Sequence, residues 1–376
     1  HSYEKTLSHP QQRWSRNYQT RLGTIRLERR AYRSAEGLSC PADEWFALPE
    51  TGWLATVEKV ACLFGMETDF VNAAEVFHET TGIEVSGHTL ANHVEEIGQQ
   101  MHSQQKQLPI QQIALRDSAL KKTVGNSPPK SYVYVGQDGV MVPLNQRQGY
   151  KEALVGVVFW EESHMAMSPK HNEVRYRHYV ATLGSRESFG EQFFKSFSYL
   201  VGEQPCQVVA LGDGAHWIWE QISLYYPDAI QILDFYHLSE YVWNVAREAF
   251  SDKDRQNTWV AEQLTALKES RAHDVLTGLR FFSHRRVSKV KDAVNRLRTY
   301  LQNNLSRVDY ARYLQLGLMI GSGVVESSNR RVVTQRLKQA GMHWSIQGAN
   351  SIMTLRAAYL SSGSQWRNFW LQREVS

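Results

Sequence analysis

The sequence is poor in cysteine: Cys40, Cys62 and Cys206 are odd in number, far apart and free of any CxxC spacing. That pattern excludes a disulfide framework and indicates no zinc site, so the thiols are expected to be reduced and at least partly buried. No run approaches the roughly 20 consecutive apolar residues of a membrane-spanning helix. The stretch from His1 to Arg30 is polar and basic and holds no signal-peptide core. Internal repeats and low-complexity tracts are absent as well. The first residue is His1 rather than Met, so a longer parent chain or a trimmed fragment is expected.

What is present fits a globular protein. The 376 residues are 42% hydrophobic and 21% charged, enough for two or three domains around a large core. The net charge of +4 does not by itself indicate a polyanionic partner, but its distribution does. From Arg285 to His343 there are 12 Lys and Arg against three acids, Asp292, Asp309 and Glu326. A phosphate backbone would be held there.

From Trp53 to Met101 apolar residues recur at helical spacing, through Val57, Val60, Ala61 and Phe64 and then Val71, Ala74 and Val76. A helix, a break at Thr81-Gly82 and a second helix from His88 to Ile97 match a helix-turn-helix, and equally a plain helical bundle that touches no DNA. Pro109 to Pro129, ending in Gly125-Asn126-Ser127-Pro128-Pro129, reads as a connector.

The period then shortens to that of strands: Ser131 to Val135, Ala153 to Glu161 and Tyr176 to Leu183. A helix from Arg186 to Leu200, a buried strand Gln207 to Leu211, a helix Ala215 to Tyr226 and a buried strand Ala229 to Leu233 follow. Three antiparallel strands and then two parallel ones joined by helical crossovers form the order of the ribonuclease H fold. Leu238 to about Tyr313 reads as almost continuously helical, and two last helices run roughly from Val324 to Gln339 and from Ser345 to Leu360.

The expected class is therefore α/β: a ribonuclease H-like catalytic domain with a mixed five-stranded sheet, an all-helical insertion and an N-terminal helical domain. Residues 1–50 form an extension resembling a degenerate ribbon, and residues 51–129 the helical domain, with its possible helix-turn-helix, and linker. The catalytic core covers 130–237, the insertion 238–320, and the C-terminal helices of the core 321–376.

Two acids stand where such a sheet presents ligands to solvent. Asp138 follows the first strand in Val135-Gly136-Gln137-Asp138-Gly139, and Asp213 takes the matching place after the fourth in Gly212-Asp213-Gly214-Ala215. A single Asp-Gly is an ordinary turn, and Asp213 could also cap the helix beginning at Ala215. Two at equivalent strand ends are harder to dismiss.

The third candidate, Glu326, lies in a helix that opens after Gly321-Ser322-Gly323. It could simply complement the helix dipole. Its neighbours Ser327, Ser328, Asn329, Arg330 and Arg331 suit a phosphate better than a merely solvated face. Three carboxylates supply hard oxygen ligands to two Mg²⁺ ions about 3.5–4 Å apart, the arrangement that serves in-line phosphoryl displacement.

At this point the motifs together resemble a known family. Gly212-Asp213-Gly214-Ala215 with Trp217-Ile218-Trp219, then Asp234-Phe235-Tyr236-His237, then Gly321-Ser322-Gly323-Val324-Val325-Glu326-Ser327 and Lys338-Gln339-Ala340-Gly341-Met342-His343-Trp344 look like the blocks of bacterial insertion-sequence transposases of the Kra type. These are similar to the wider group of Mutator-like and hAT transposases. The likeness covers about Ser131 to Leu360.

The resemblance implies a DDE transposase, a mobile-element nuclease and strand-joining enzyme of DNA recombination, with Asp138, Asp213 and Glu326 as catalytic residues and metal ligands for two Mg²⁺ or Mn²⁺ ions. Its fold would be interrupted by helices between Asp213 and Glu326, which stand 113 positions apart (326 minus 213). Asp234 and His237 would be a supporting DxxH motif, although a helix-start histidine can also pack or cap. Transposon-end and target DNA would be the partners, with a homodimer or higher oligomer on DNA, no membrane, and a bacterial cytoplasm at the nucleoid as the location.

Arg330, Arg331, Arg336 and Lys338, spaced along one helix, are read as phosphate contacts, with a solvated face as the alternative. Trp344 could stack on an unpaired base or pack in the core. Of Trp217 and Trp219, at i and i+2, at least one belongs to the core. Where such transposases often carry a cysteine-paired zinc ribbon, near Arg30 to Pro49, this chain has Cys40 alone, so no zinc is expected. Two competing readings remain open: a catalytically inactive or truncated transposase-derived DNA-binding protein, and a ribonuclease H-like nuclease with water as its only nucleophile.

Overall fold

A computed structural model describes residues 8–34, 37–106, 131–145, 148–161, 164–168, 171–174, 176–202, 206–282 and 288–375. The expected connector from Pro109 to Pro129, and Arg285 and Arg286 of the basic stretch, lie outside the described residues. The described residues fall into two compact units, one drawn from 1–107, 142–151 and 332–376, the other from 108–141 and 152–331. No helix among them is long and apolar enough to cross a membrane.

The first unit begins with a hairpin of β1 (Ser8–Thr20) and β2 (Gly23–Ser34), to which β3 (Gly37–Ser39) adds as a third antiparallel strand. Helices α1 (Pro41–Trp45), α2 (Ala55–Glu67), α3 (Phe70–Thr81) and α4 (Gly87–Lys106) follow. The Asp69 carboxylate caps α3 by accepting from the Val71 and Asn72 N–H groups, and the Ser86 hydroxyl accepts from Thr89 N–H at the start of α4. Helices α3 and α4 have the connectivity expected of a helix-turn-helix. Their exposed charges are Glu75, Glu79, Glu84, Glu96 and Lys106, an acidic surface that repels a phosphate backbone.

The second unit is built on strands β4 (Tyr132–Pro143), β5 (Tyr150–Trp160), β6 (His164–Ser168), β7 (His171–Val174) and β8 (Arg177–Thr182). After them come α5 (Arg186–Val201), β9 (Gln207–Gly212), α6 (His216–Tyr225) and β10 (Ile230–Leu233). The main sheet is five-stranded and mixed, in the order β10-β9-β4-β5-β8, with β6 and β7 paired apart from it. Strand β9 runs parallel to β4 and to β10, while β5 and β8 are antiparallel. The cores of β5 and β9 are buried along nearly their whole length, as continuous apolar runs covered on both faces are.

Two features differ from the expected strands. Strand β4 continues through the Asp138-Gly139 turn signal to Pro143, because β5 beside it keeps the backbone extended, so Asp138 lies within the strand instead of past it. The β6–β7 hairpin was not expected at all.

Helices α7 (Phe235–Ala249), α8 (Lys253–Lys268), α9 (Ala272–Gly278), α10 (Ser288–Asn303), α11 (Tyr310–Gln315) and α12 (Gly323–Asn329) complete this unit. Strand β10 is an edge strand, with carbonyls left over on its outer side. Two hydroxyls of the helical block satisfy them: Tyr310 donates to the Leu233 carbonyl at 2.9 Å and Tyr313 to that of Gln231 at 3.2 Å. The helices here cover a sheet edge as well as filling the interval between the second and third acids.

After α12 comes a π-helical turn, Arg330–Thr334, then α13 (Gln335–Leu337), α14 (Ile346–Leu360) and α15 (Gln365–Val375). From Val332 onward these helices belong to the first unit, not to the unit of the sheet. Buried arginines explain why. The last carbonyls of α2 lack partners within their own helix. Arg336 donates to the Gly65 carbonyl at 2.8 Å, and Arg356 donates to that of Met66 and to the Glu67 carboxylate. A cation at that end also complements the helix dipole.

Candidate active site

The parallel part of the sheet lines up three acids. Gly136 pairs with Leu211 across β4 and β9, and Leu233 pairs with Gly212 across β10 and β9. Carried two residues past Gly136 and one past Gly212 and Leu233, the registers bring Asp138, inside β4, into line with Asp213 and Asp234, which directly follow β9 and β10. Loops after parallel strands leave a crevice there.

The fourth acid arrives on α12. Gly136 makes this possible: a Cβ at that position would lie 2.2 Å from Val325 Cγ2, so only a glycine lets the first turn of α12 rest directly on β4. Glu326 follows Val325, and three residues on, Asn329 donates through Nδ2 to Asp138 Oδ2. Asp138 Oδ1 accepts from the Gly139 N–H at 2.7 Å. Asn329 Oδ1 is buried and has no hydrogen-bond partner.

Asp234 behaves differently. Its Oδ1 accepts from Tyr236 N–H at 2.6 Å and His237 N–H at 3.1 Å, capping α7. Its Oδ2 accepts from the Ser322 N–H at 3.0 Å and from the Ser322 hydroxyl. Ser322 stands at the N-cap of α12 yet caps nothing, because its hydroxyl is spent on Asp234. Asp234 is therefore a saturated, buried latch that joins the end of β10 to the start of the helix bearing Glu326.

Asp213 is held through its backbone. Its Oδ1 accepts from Ala215 N–H at 2.9 Å, and its carbonyl accepts from the Tyr300 hydroxyl of α10. Gly214, at φ +94°, leaves room for that ring, since a Cβ there would meet Tyr300 Cε2 at 2.7 Å. Tyr241 stacks on Tyr300 at 4.2 Å, and the His237 ring lies 5.9 Å from Tyr300 and 4.0 Å, through Nδ1, from Glu240.

Electrostatics tie these groups together. Burial pushes the Asp138 carboxyl up to about 6; the Gly139 N–H opposes this, Asp213 and Glu326 add to it, and His237 pulls it back. Glu326 opens to solvent and is also raised, first by the protein packed around it and then by Asp234 and Glu240, with His237 again opposing. Asp138 thus feels both of its expected partners. Among the described residues, however, no three His, Cys, Asp or Glu side chains are gathered tightly enough to hold an ion as they stand. What Asp138, Asp213 and Glu326 share is an electrostatic neighbourhood, not a preformed ion cage. Its donors, three carboxylates and the orphaned Asn329 Oδ1, are the oxygen set a hard divalent cation takes.

The remaining expected residues divide. Arg330 is exposed and Arg331 half-buried on the π-helical turn directly after Asn329. Lys338 is exposed. Arg336 and Trp344 are corrected as DNA contacts. Arg336 is fully buried, its guanidinium 4.9 Å from the Phe70 ring and 4.8 Å from the Trp344 ring, and Trp344 is 4% exposed with its indole N–H donated to the Leu337 carbonyl. Even a regular 3.6-residue helix would turn Arg336, six positions after Arg330 and ten after Glu326, to another face, and the π turn at Arg330–Thr334 changes the phase again. Trp217 and Trp219 are both buried, with Arg186 and Arg307 over their respective rings.

Three participants, Ser322, Tyr300 and Gly136, have no role in the sequence reading, and Asn329 enters it as a phosphate neighbour of Glu326 instead of a partner of Asp138. Asn329 had a signal, its i+3 spacing from Glu326, and Gly136 another, its place two residues before Asp138 on the same strand face. Ser322 and Tyr300 act through backbone groups remote in sequence and carried no such mark.

Fold and site together define an α/β protein with a five-stranded mixed sheet and many helices, with Asp138, Asp213 and Asp234 in line across β4, β9 and β10. The chain belongs to the Uncharacterised protein family (UPF0236), whose profile matches residues 9–374. No curated protein matches it.

Proposed function

We propose that the chain is a DNA transposase, a ribonuclease H-like enzyme akin to Kra-type insertion-sequence transposases, that cleaves transposon ends and joins them to target DNA. The observation that carries this is the row of acids across β4, β9 and β10, with α12 packed on Gly136 so that Glu326 and Asn329 come to Asp138. The strand order, with β9 and β10 parallel to β4, is the one a ribonuclease H fold requires, and the helical block falls between Asp213 and Glu326 as in that group.

In this reading Asp138, Asp213 and Glu326 hold two Mg²⁺ or Mn²⁺ ions, which when bound help deprotonate the attacking hydroxyl and offset charge at the leaving oxygen. Asn329 fixes the plane of the Asp138 carboxylate. Asp234, through Ser322, sets the position of α12, and Tyr300 steadies the Asp213 backbone. His237 lowers the cost of gathering acids around Asp138 and Glu326. Arg330, Arg331 and Lys338 bind phosphates, on a homodimer or higher oligomer assembled on DNA at the bacterial nucleoid.

The test is purified protein with Mg²⁺ or Mn²⁺ on transposon-end duplexes: nicked and joined products are expected, and Asp213→Asn should reduce them to background while keeping duplex binding. Equal activity in that variant removes the mechanism. The open spacing of the acids favours one other reading, a transposase-derived DNA-binding protein without catalysis. Duplex binding with no cleavage under any metal condition would select it.

A further inference from the structure

The β1–β2 hairpin carries a charge the fold does not explain. Residues 8–34 hold seven arginines (Arg13, Arg16, Arg21, Arg26, Arg29, Arg30 and Arg33) against one acid, Glu28. The register sorts them by face. The pairs Arg13↔Arg30, Ser15↔Glu28, Asn17↔Arg26 and Gln19↔Thr24 share one side, and Trp14↔Arg29, Arg16↔Leu27, Tyr18↔Ile25 and Thr20↔Gly23 the other.

The second face turns inward. Tyr18, Thr20 and Arg29 are buried, with Arg29 donating to the Tyr18 hydroxyl and to Asp43 and Arg16 donating to the Glu50 carbonyl. The first face is open over most of its length: Arg13, Ser15, Asn17, Thr24, Arg26, Glu28 and Arg30 are exposed, while Gln19 is half-buried and its amide oxygen accepts from the Thr24 hydroxyl. Its one ion pair, Arg13 with Glu28, is 3.9 Å apart between side chains 79% and 60% exposed, worth little to the fold. Arg13 stands directly opposite Arg30, a like-charge pairing that destabilises a sheet. Arg21 and Leu22 at the tip are exposed too.

We propose that this face binds duplex DNA. An antiparallel two-stranded ribbon fits the major groove. Its guanidinium groups meet phosphates and guanine edges, its Ser and Thr hydroxyls meet phosphates, and the exposed Asn17 presents an amide suited to adenine. A polyanion also relieves the Arg13–Arg30 opposition. The surface is distinct from the carboxylate crevice and needs only binding, not catalysis.

The experiment is fluorescence anisotropy of the full chain on a labelled duplex across a salt series, for wild type, the triple variant Arg13→Gln/Arg26→Gln/Arg30→Gln, Glu28→Gln and the exposed Glu262→Gln, each checked for an unchanged thermal midpoint. The triple variant should lose at least about tenfold in affinity, with a salt slope shallower by up to about three, near one per phosphate contact removed. Glu28→Gln should tighten binding, and Glu262→Gln should match wild type; because duplex binding is read in chelator with no cleavage, failure here is separable from failure of the catalytic reading. Wild-type affinity and slope in the triple variant overturn the proposal, as do absence of salt-dependent duplex binding or single-stranded RNA displacing duplex at equal or lower concentration.

Discussion

The two units bury charge in opposite ways. In the unit containing α2 and the C-terminal helices, Arg336 and Arg356 donate to carbonyls at the end of α2, and Arg336 also lies over two aromatic rings, with its Nη2 buried and unpartnered. In the unit of the mixed sheet, Asp138 is half-buried, raised in pKa and surrounded by acids, and the Asn329 oxygen beside it has no partner. Asp234 shows that a carboxylate in this row can be fully satisfied, since it accepts from two backbone N–H groups of α7 and twice from Ser322. The difference teaches that the share of hydrogen-bonding capacity already used separates a charge that holds the fold from one left available for chemistry.

Three substitutions test that division. Arg336→Ala should cost the most, about 3 kcal/mol by urea denaturation, because α2 carbonyls and two ring faces lose their partner; its DNA salt slope should stay that of wild type. A cost below about 0.5 kcal/mol, typical of a surface residue, would dissolve the contrast. Gly136→Ala should cost about 2 kcal/mol through overpacking against Val325, and should also depress DNA joining by pushing Glu326 away.

Asp138→Asn should act the other way. Its folded carboxyl titrates at about 6 against an ordinary 3.8, so between those values the native state holds the extra proton. Stability is therefore lost as pH rises through that window, and the full cost is present above 6. In chelator at pH 7.5 the variant should be more stable, on the order of 1 kcal/mol, with the difference vanishing toward pH 4. A variant less stable at pH 7.5 would mean that the Gly139 and Asn329 hydrogen bonds outweigh burial.

Much of the sheet was legible because its strands are short apolar runs bounded by turn residues, and the repeated Asp-Gly at Asp138 and Asp213 marked corresponding positions on β4 and β9. Legibility ended where distant partners decide. Strand β4 overrides its own turn signal because β5 pairs beside it. The π turn at Arg330–Thr334 is invisible to a 3.6-residue count, and that count itself already sets Arg336 on a different face from Arg330 and Glu326, where burial against Phe70 and Trp344 claims it. The β1–β2 hairpin turns through Arg21-Leu22, which lacks the Asn-Gly or Asp-Gly signature of a tight hairpin. Residues 321–376 read as C-terminal helices of the catalytic core, whereas the stretch from Val332 onward groups with α2, to which Arg336 and Arg356 donate.

Manganese titration of the full chain by calorimetry and electron paramagnetic resonance, without DNA, bears most directly on the carboxylate crevice. About two ions per chain should bind in competition with Mg²⁺. Asp138→Asn, Asp213→Asn and Glu326→Gln should each weaken binding at least about tenfold, while the exposed Glu262→Gln leaves it unchanged. Affinity that is absent in the wild type, or equal in all four variants, would contradict the assignment of these three acids to one metal site.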